Sequence, residues 1–156
     1  MASVVTLDEL DALVAADRAA GRSIALANGV FDLLHVGHIR YLEGAKAEAD
    51  RLIVAVNDDE SVRALKGEGR PVMGQADRAE LIAALRAVDY VLVFSGRTVT
   101  DVLLRYKPDV HCKGTDYTVE TVPERPIVQS YGGRTAIVGD PKDHSTRDLV
   151  SRLNSR

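Results

Sequence analysis

Ile24-Ala25-Leu26-Ala27 and Leu52-Ile53-Val54-Ala55-Val56 are two short apolar runs, with a helical pattern from about Gly37 to Ala49 between them. Both runs have the length of strands. The second is rich in branched residues and is bounded by Arg51 and Asn57-Asp58. Neither alternates apolar with polar residues, as a strand with one wet face does, so both read as strands covered on both sides. Strand, helix and buried strand in succession predict parallel pairing.

The same alternation continues outward. Upstream, residues 6–20 read as a helix: Thr6 and Glu9 have capping-box spacing, Leu7, Leu10, Leu13 and Val14 share a face, and Gly21 supplies a stop. Downstream, helices are predicted over Asp59 to Leu65 and Ala76 to Arg86, then a strand over Tyr90 to Phe94. A helix over Thr98 to Tyr106 leads to a strand over Asp109 to Cys112. A short helix over Ile127 to Tyr131, a strand over Thr135 to Val138 and a helix over Ser145 to Leu153 complete the pattern. That makes an α/β sandwich of three layers around a five-stranded parallel sheet. One domain is expected over 1–156, with an N-terminal helix in 1–22 and a core over 23–153.

Composition narrows the function. A chain of 156 residues can bury a core without staples. Its 20 basic and 23 acidic side chains do not describe a protein that coats nucleic acid, although a few placed cations can still hold a small polyanion. The longest apolar runs are of five residues, far short of the roughly 20 that a spanning helix needs, so no membrane role is expected. No secretory signal is read at the N-terminus. The single cysteine, Cys112, fits a reducing, cytoplasmic compartment, and nothing near it in sequence marks it as a nucleophile.

In parallel α/β sheets ligands bind outside the carboxyl ends of the strands. Those positions here hold Asn28-Gly29-Val30-Phe31-Asp32, Asn57-Asp58, Lys113-Gly114-Thr115-Asp116 and Gly139-Asp140. The first loop lacks the G-x-G-x-x-G of dinucleotide folds, and no G-x-x-x-x-G-K-[ST] occurs. It offers instead His35 and His38, three residues apart at a helix start, with Gly37 between them. Helix N-termini favour anions, so the pair reads as two imidazole donors at a phosphate site. Surface or core histidines would have the same spacing. A metal site with Asp32 would need one or two further ligands, and no other cluster stands out, so no protein metal site is assigned.

The full string Asn28-Gly29-Val30-Phe31-Asp32-Leu33-Leu34-His35-Val36-Gly37-His38 resembles the signature of the cytidylyltransferase-like nucleotidyltransferases, H-x-G-H with a leading G-x-F-D. Within that superfamily the chain is most similar to the heptose 1-phosphate adenylyltransferases. The similarity is carried by Arg51 to Asp58, Leu65 to Val72, Ala87 to Val91, Lys113 to Tyr117 and Ser145-Thr146. The resemblance implies a Rossmann-like sandwich and transfer of AMP from ATP to heptose 1-phosphate, with release of pyrophosphate. It implies Mg²⁺ arriving with ATP, held mainly by substrate and water, and a homodimer.

By that resemblance His35 and His38 contact the triphosphate, and Lys113 joins them as a catalytic residue. Nucleotide binding falls to Asn28, Gly29, Val30, Phe31, Asp32, Gly37, Asn57, Arg78, Gly114, Asp116, Ser145 and Thr146. Asp32, Lys66, Arg70 and Tyr117 are expected at the acceptor, with Lys66 and Arg70 flanking a Gly-rich loop. Asp58 can be a helix cap alone, as can Ser145-Thr146, and Arg78 can be a solvated helix residue. Arg147 stands where the family often has a third hydroxyl. Two rival readings share these motifs: a cytidylyltransferase for glycerol 3-phosphate or a related alcohol phosphate, and a nucleotide-binding regulator that has lost its chemistry.

Overall fold

Six parallel strands form one sheet in the order β1-β4-β3-β2-β5-β6 in a computed structural model that describes residues 2–140 and Leu153. In chain order the elements are β1 (Ser3–Val4), α1 (Leu7–Ala19), β2 (Ile24–Gly29), α2 (Val36–Lys46), β3 (Arg51–Asn57), α3 (Asp59–Lys66), α4 (Gln75–Ala83), β4 (Tyr90–Phe94), α5 (Thr100–Tyr106) and β5 (Val110–Lys113). A 3-10 turn (Val119–Thr121), α6 (Arg125–Ser130) and β6 (Arg134–Ile137) follow. The expected helix from Ser145 lies, Leu153 excepted, outside the described residues, as do Ser145, Thr146 and Arg147.

Five of the strands are those read from the apolar runs. The sixth, β1, corrects the expected number: its two exposed residues pair with Tyr90 and Val91 of β4, and so short a segment carries no pattern of its own. The Thr6–Glu9 capping box is present, with both reciprocal bonds, and starts α1 at Leu7. None of the residues of the central β2, β3 and β4 is exposed, and most are fully buried, as their unbroken apolar sequences require.

Alternating side chains of the sheet feed two cores. Ala25, Ala27, Val54, Val56 and Cys112 pack with Phe31, Leu42, Ala45, Ala79 and Ile82, the side of α2 and α4. Ile24, Leu26, Ile53, Ala55 and Leu92 pack with Leu10, Val14, Leu103 and Val128, the side of α1, α5 and α6. Among the described residues no helix is long and apolar enough to cross a membrane.

The two ends of the sheet differ in chemistry. At the amino end carboxylates close the first amides: Asp50 accepts from Ser23 N at 2.8 Å, Asp109 from Ile24 N at 2.8 Å and Asp89 from Leu52 N at 2.8 Å. At the carboxyl end the chain leaves in polar loops. Strand order reverses between β2 and β5, because β2 is followed by β3 on one side and meets β5 on the other. That reversal is where ligands of open α/β sheets sit. Tyr41 of α2 reaches into it: its hydroxyl donates to Cys112 O at 2.6 Å and receives Asn28 N at 3.4 Å.

Candidate active site

The loop from Val30 to His35 leaves β2 through two left-handed residues that are not glycine, Phe31 (φ 53°) and Leu33 (φ 55°). Such backbone costs about 1–3 kcal/mol per residue and persists only where its surroundings over-determine it. Here they do. The Phe31 ring is buried, edge-on to His38 (5.6 Å between centroids) and stacked towards Tyr41 (6.4 Å). Arg78 Nη1 donates to Val30 O at 2.7 Å.

The histidine pair is part of the start of α2. His35 Nδ1 accepts Gly37 N at 3.1 Å, and His38 Nδ1 accepts His35 N at 3.2 Å. The rings stack at 3.9 Å with 29° between planes. Because backbone N–H groups occupy both Nδ1 atoms, the proton of each neutral imidazole sits on Nε2, making each ring a donor there. Burial, then the neighbouring charge of His35, then that of Lys66 push His38 down to about 4, so at neutral pH it is an uncharged donor. Lys66 ends α3, and the Gly-rich loop that follows it is joined to the loop of the histidine pair through Asp32.

Asp32 and Arg78 turn out to hold chain rather than stand in solvent. The Asp32 carboxylate is 3% exposed and accepts Val72 N at 2.7 Å and Met73 N at 3.0 Å, with Arg70 Nε at 3.4 Å. It fastens the loop between α3 and α4 to the loop after β2. Arg78 is fully buried, which removes the solvated-helix alternative. Its guanidinium donates to Met73 O (2.9 Å), Val30 O (2.7 Å), Asn57 O (2.8 Å) and Asp59 Oδ1 (2.8 Å), binding three loops at one point. Asn57 is buried as well, and its Nδ2 donates to Ser61 Oγ and Gly96 O, both at 3.3 Å. Asp58 caps α3 through Ser61 N at 2.9 Å. Sequence reasoning had one usable signal for the buried arginine: it lies four residues before Ile82, on the apolar face of α4.

On the other side of the reversal, Lys113 closes β5 with its ammonium 5.0 Å from the centre of the Tyr117 ring. Burial lowers its pKa from the usual lysine value, against the opposing pull of Glu124 and Asp116. Gly114 and Asp116 lie in the loop that follows, and nothing crowds the space a Cβ would take at Gly114. His111, two residues back, was missed by the sequence reading. It is buried in β5, with Nε2 at 2.8 Å from Asn28 Oδ1. A histidine inside a buried strand is the signal that could have found it. Burial of Cys112 pushes its thiol up to about 12, in keeping with a packed side chain.

The carboxyl end of the sheet therefore gathers two stacked imidazoles, a helix N-terminus and a lysine around the point of strand reversal. Among the described residues no three histidine, cysteine or carboxylate side chains are grouped to hold a metal.

Comparison with known proteins places this arrangement. A family model described as cytidylyltransferase-like matches residues 26–151. A bifunctional protein HldE of Geobacter sulfurreducens is 43% identical over 152 residues, which is 97% of this chain and 31% of that protein. One from Koribacter versatilis is 47% identical over 151 residues, again 97% and 31%. The chain thus spans about a third of the length of these curated relatives. The crystal structure of a lipopolysaccharide core biosynthesis protein from Thermoplasma volcanium superposes with a TM-score of 0.67 at 27% identity, covering 78% of this chain and all of that one. With the H-x-G-H pair at the head of α2, the match over most of its length makes the chain a member of the cytidylyltransferase-like family, and an enzyme of the nucleotidyltransferase class.

Proposed function

We propose that the chain transfers AMP from ATP to heptose 1-phosphate, giving ADP-heptose and pyrophosphate. One observation carries the reading: His35 and His38 stack at the N-terminus of α2 with both Nδ1 atoms tied to backbone N–H, which leaves Nε2 as the donor atom of each ring. The names of the relatives support the sugar-phosphate side of it, since one solved relative is a lipopolysaccharide core biosynthesis protein.

The step is a single in-line displacement. An oxygen of the acceptor phosphate forms a bond to the α-phosphorus, and the bond from that phosphorus to the oxygen bridging to the β-phosphate breaks. Negative charge grows on the bridging and non-bridging oxygens. Fixed N–H donors and the positive end of the helix answer that charge without having to reorganise. Lys113 supplies a cation from the β5 side, and Lys66 and Arg70 hold the acceptor phosphate. Asp32, Asn57 and Arg78 keep these loops in register. The donor set suits phosphate oxygens, so Mg²⁺ would travel on the triphosphate and water. When bound there it neutralises phosphate charge. The enzyme is read as cytoplasmic and as working in a homodimer.

The test pairs ATP, CTP, GTP and UTP in turn with heptose 1-phosphate and with glycerol 3-phosphate and follows pyrophosphate. ATP with heptose 1-phosphate should dominate, because a site that hydrogen-bonds one base edge leaves groups unpaired with another. Turnover of CTP with glycerol 3-phosphate alone would reassign the substrates. Pyrophosphate from no pair, with nucleotide still bound, would favour a regulator.

A further inference from the structure

We propose that His111 is a positioning residue that sets the Asn28 side chain as a pair of N–H donors beside Lys113, directed at the hydroxyl oxygens of the acceptor sugar. This rests on the transfer reaction proposed above.

Three observations converge. The first is the contact itself: His111, wholly buried in β5, reaches across the strand reversal with Nε2 2.8 Å from Asn28 Oδ1. The second is what His111 lacks. Its Nδ1 is buried with no partner among the described residues, and Thr135 Oγ1, its register neighbour on β6, is likewise without one. A polar residue kept in a core without satisfying that core has its use at the one atom that is paired. The third is the side of the sheet. His111 registers with Leu26, and side chains two apart on a strand share a face, so Asn28, His111 and Lys113 all lie on the face opposite α2.

Hydrogen-bond accounting fixes the roles. Desolvation pushes His111 down to about 3, so the ring is neutral and carries one proton. With that proton on Nε2, only an acceptor lone pair is left unmet at Nδ1. With it on Nδ1, a buried N–H would be orphaned, the rarer and costlier outcome. Nε2–H therefore donates to Oδ1, and the Asn28 amide turns its NH₂ outward. Two donors next to an ammonium recognise oxygen, not a ring edge that itself donates. The triphosphate occupies the α2 side with the histidine pair, and Lys66 and Arg70 take the acceptor phosphate there, so the part of the acceptor that meets the opposite face is its sugar.

His111→Leu, His111→Gln and Asn28→Asp test this. Loss of one such hydrogen bond is worth about tenfold in affinity. His111→Leu should raise the acceptor KM by roughly that factor while kcat and the ATP KM stay within about twofold. His111→Gln, whose Nε2 can still donate to Oδ1, should recover most of the loss. Asn28→Asp, which replaces donors by an anion beside the acceptor, should be the worst of the three. A His111→Leu enzyme with lower Tm and an unchanged acceptor KM would overturn the proposal. A second measurement stands apart from turnover. In ¹H–¹⁵N spectra the Asn28 side-chain NH₂ signals should move with heptose 1-phosphate, move little with AMP, and shift in His111→Leu, where they no longer respond to the sugar phosphate. If no substrate pair is turned over, the substrate reading falls and these spectra still decide the role of His111. Signals that ignore the substitution, or respond to AMP instead, overturn it.

Discussion

Two loops face each other across Asp32, and they are held in opposite ways. The loop after β2 is fixed along its length: Val30 by Arg78, Phe31 by burial, the His35 ring by Gly37 N and the His38 ring by His35 N. The loop from Gly67 to Gly74 is exposed for most of its length, and its two glycines at positive φ, Gly67 and Gly69, have open space around them. It is secured near one end, where Val72 N, Met73 N and Arg70 meet the Asp32 carboxylate and Arg78 reaches Met73 O. The first loop can present groups to a transition state with no further ordering. The second can admit a substrate and still return to one place. On the proposed reaction, rigidity belongs with the chemistry, and freedom with entry.

The division implies three graded outcomes. Largest is the effect in the rigid loop: His35→Ala and His38→Ala should each fold normally and lose about 10²–10³ in kcat, with ATP affinity little changed. Near-wild-type turnover in either variant would break the assignment. Smaller is the effect in the tethered loop. Asp32→Asn puts an amide NH₂ against a backbone N–H, so the acceptor KM should rise roughly tenfold, one charged hydrogen bond's worth, and cleavage near Gly67–Gly69 by protease should speed up. The ATP KM should hold. If both substrates weaken equally, the two loops move as one body.

The smallest effect is on stability against pH. His38 is held near 4 and His111 near 3 in the fold, both below the ordinary value of 6.5. Between those values and 6.5 the unfolded chain binds more protons than the folded one, so stability rises with pH there. It should be fully present above about 6.5 and drain away as pH falls towards 4. Tm measured from pH 7.5 to pH 5 should drop. His38→Ala should flatten that slope.

What could be read in the sequence was whatever repeats or stays local. Apolar runs gave β2 to β6, Thr6 and Glu9 gave the start of α1, and the H-x-G-H spacing gave the histidine pair. What could not be read is tertiary. Arg78 reaches Val30, 48 residues away, and Asp32 reaches Val72 over 40. No periodicity links such partners, so a buried strut looked like a residue facing nucleotide or solvent. The same holds for His111 and Asn28, 83 residues apart and brought together only because β5 crosses to lie beside β2.

Tyr41 has a consequence for the rival of any group-transfer reaction, which is water. Where two strands part, the last amide and carbonyl of their ladder commonly take an ordered water. Here a phenol stands between Asn28 N and Cys112 O, and burial pushes its pKa well above the ordinary tyrosine value, so it keeps its proton and goes on donating. The fork between β2 and β5 is thus closed by a group that cannot leave and cannot attack phosphorus. One fewer mobile hydroxide source stands at the mouth, and a nucleoside triphosphate bound there is that much better protected from hydrolysis before its acceptor arrives.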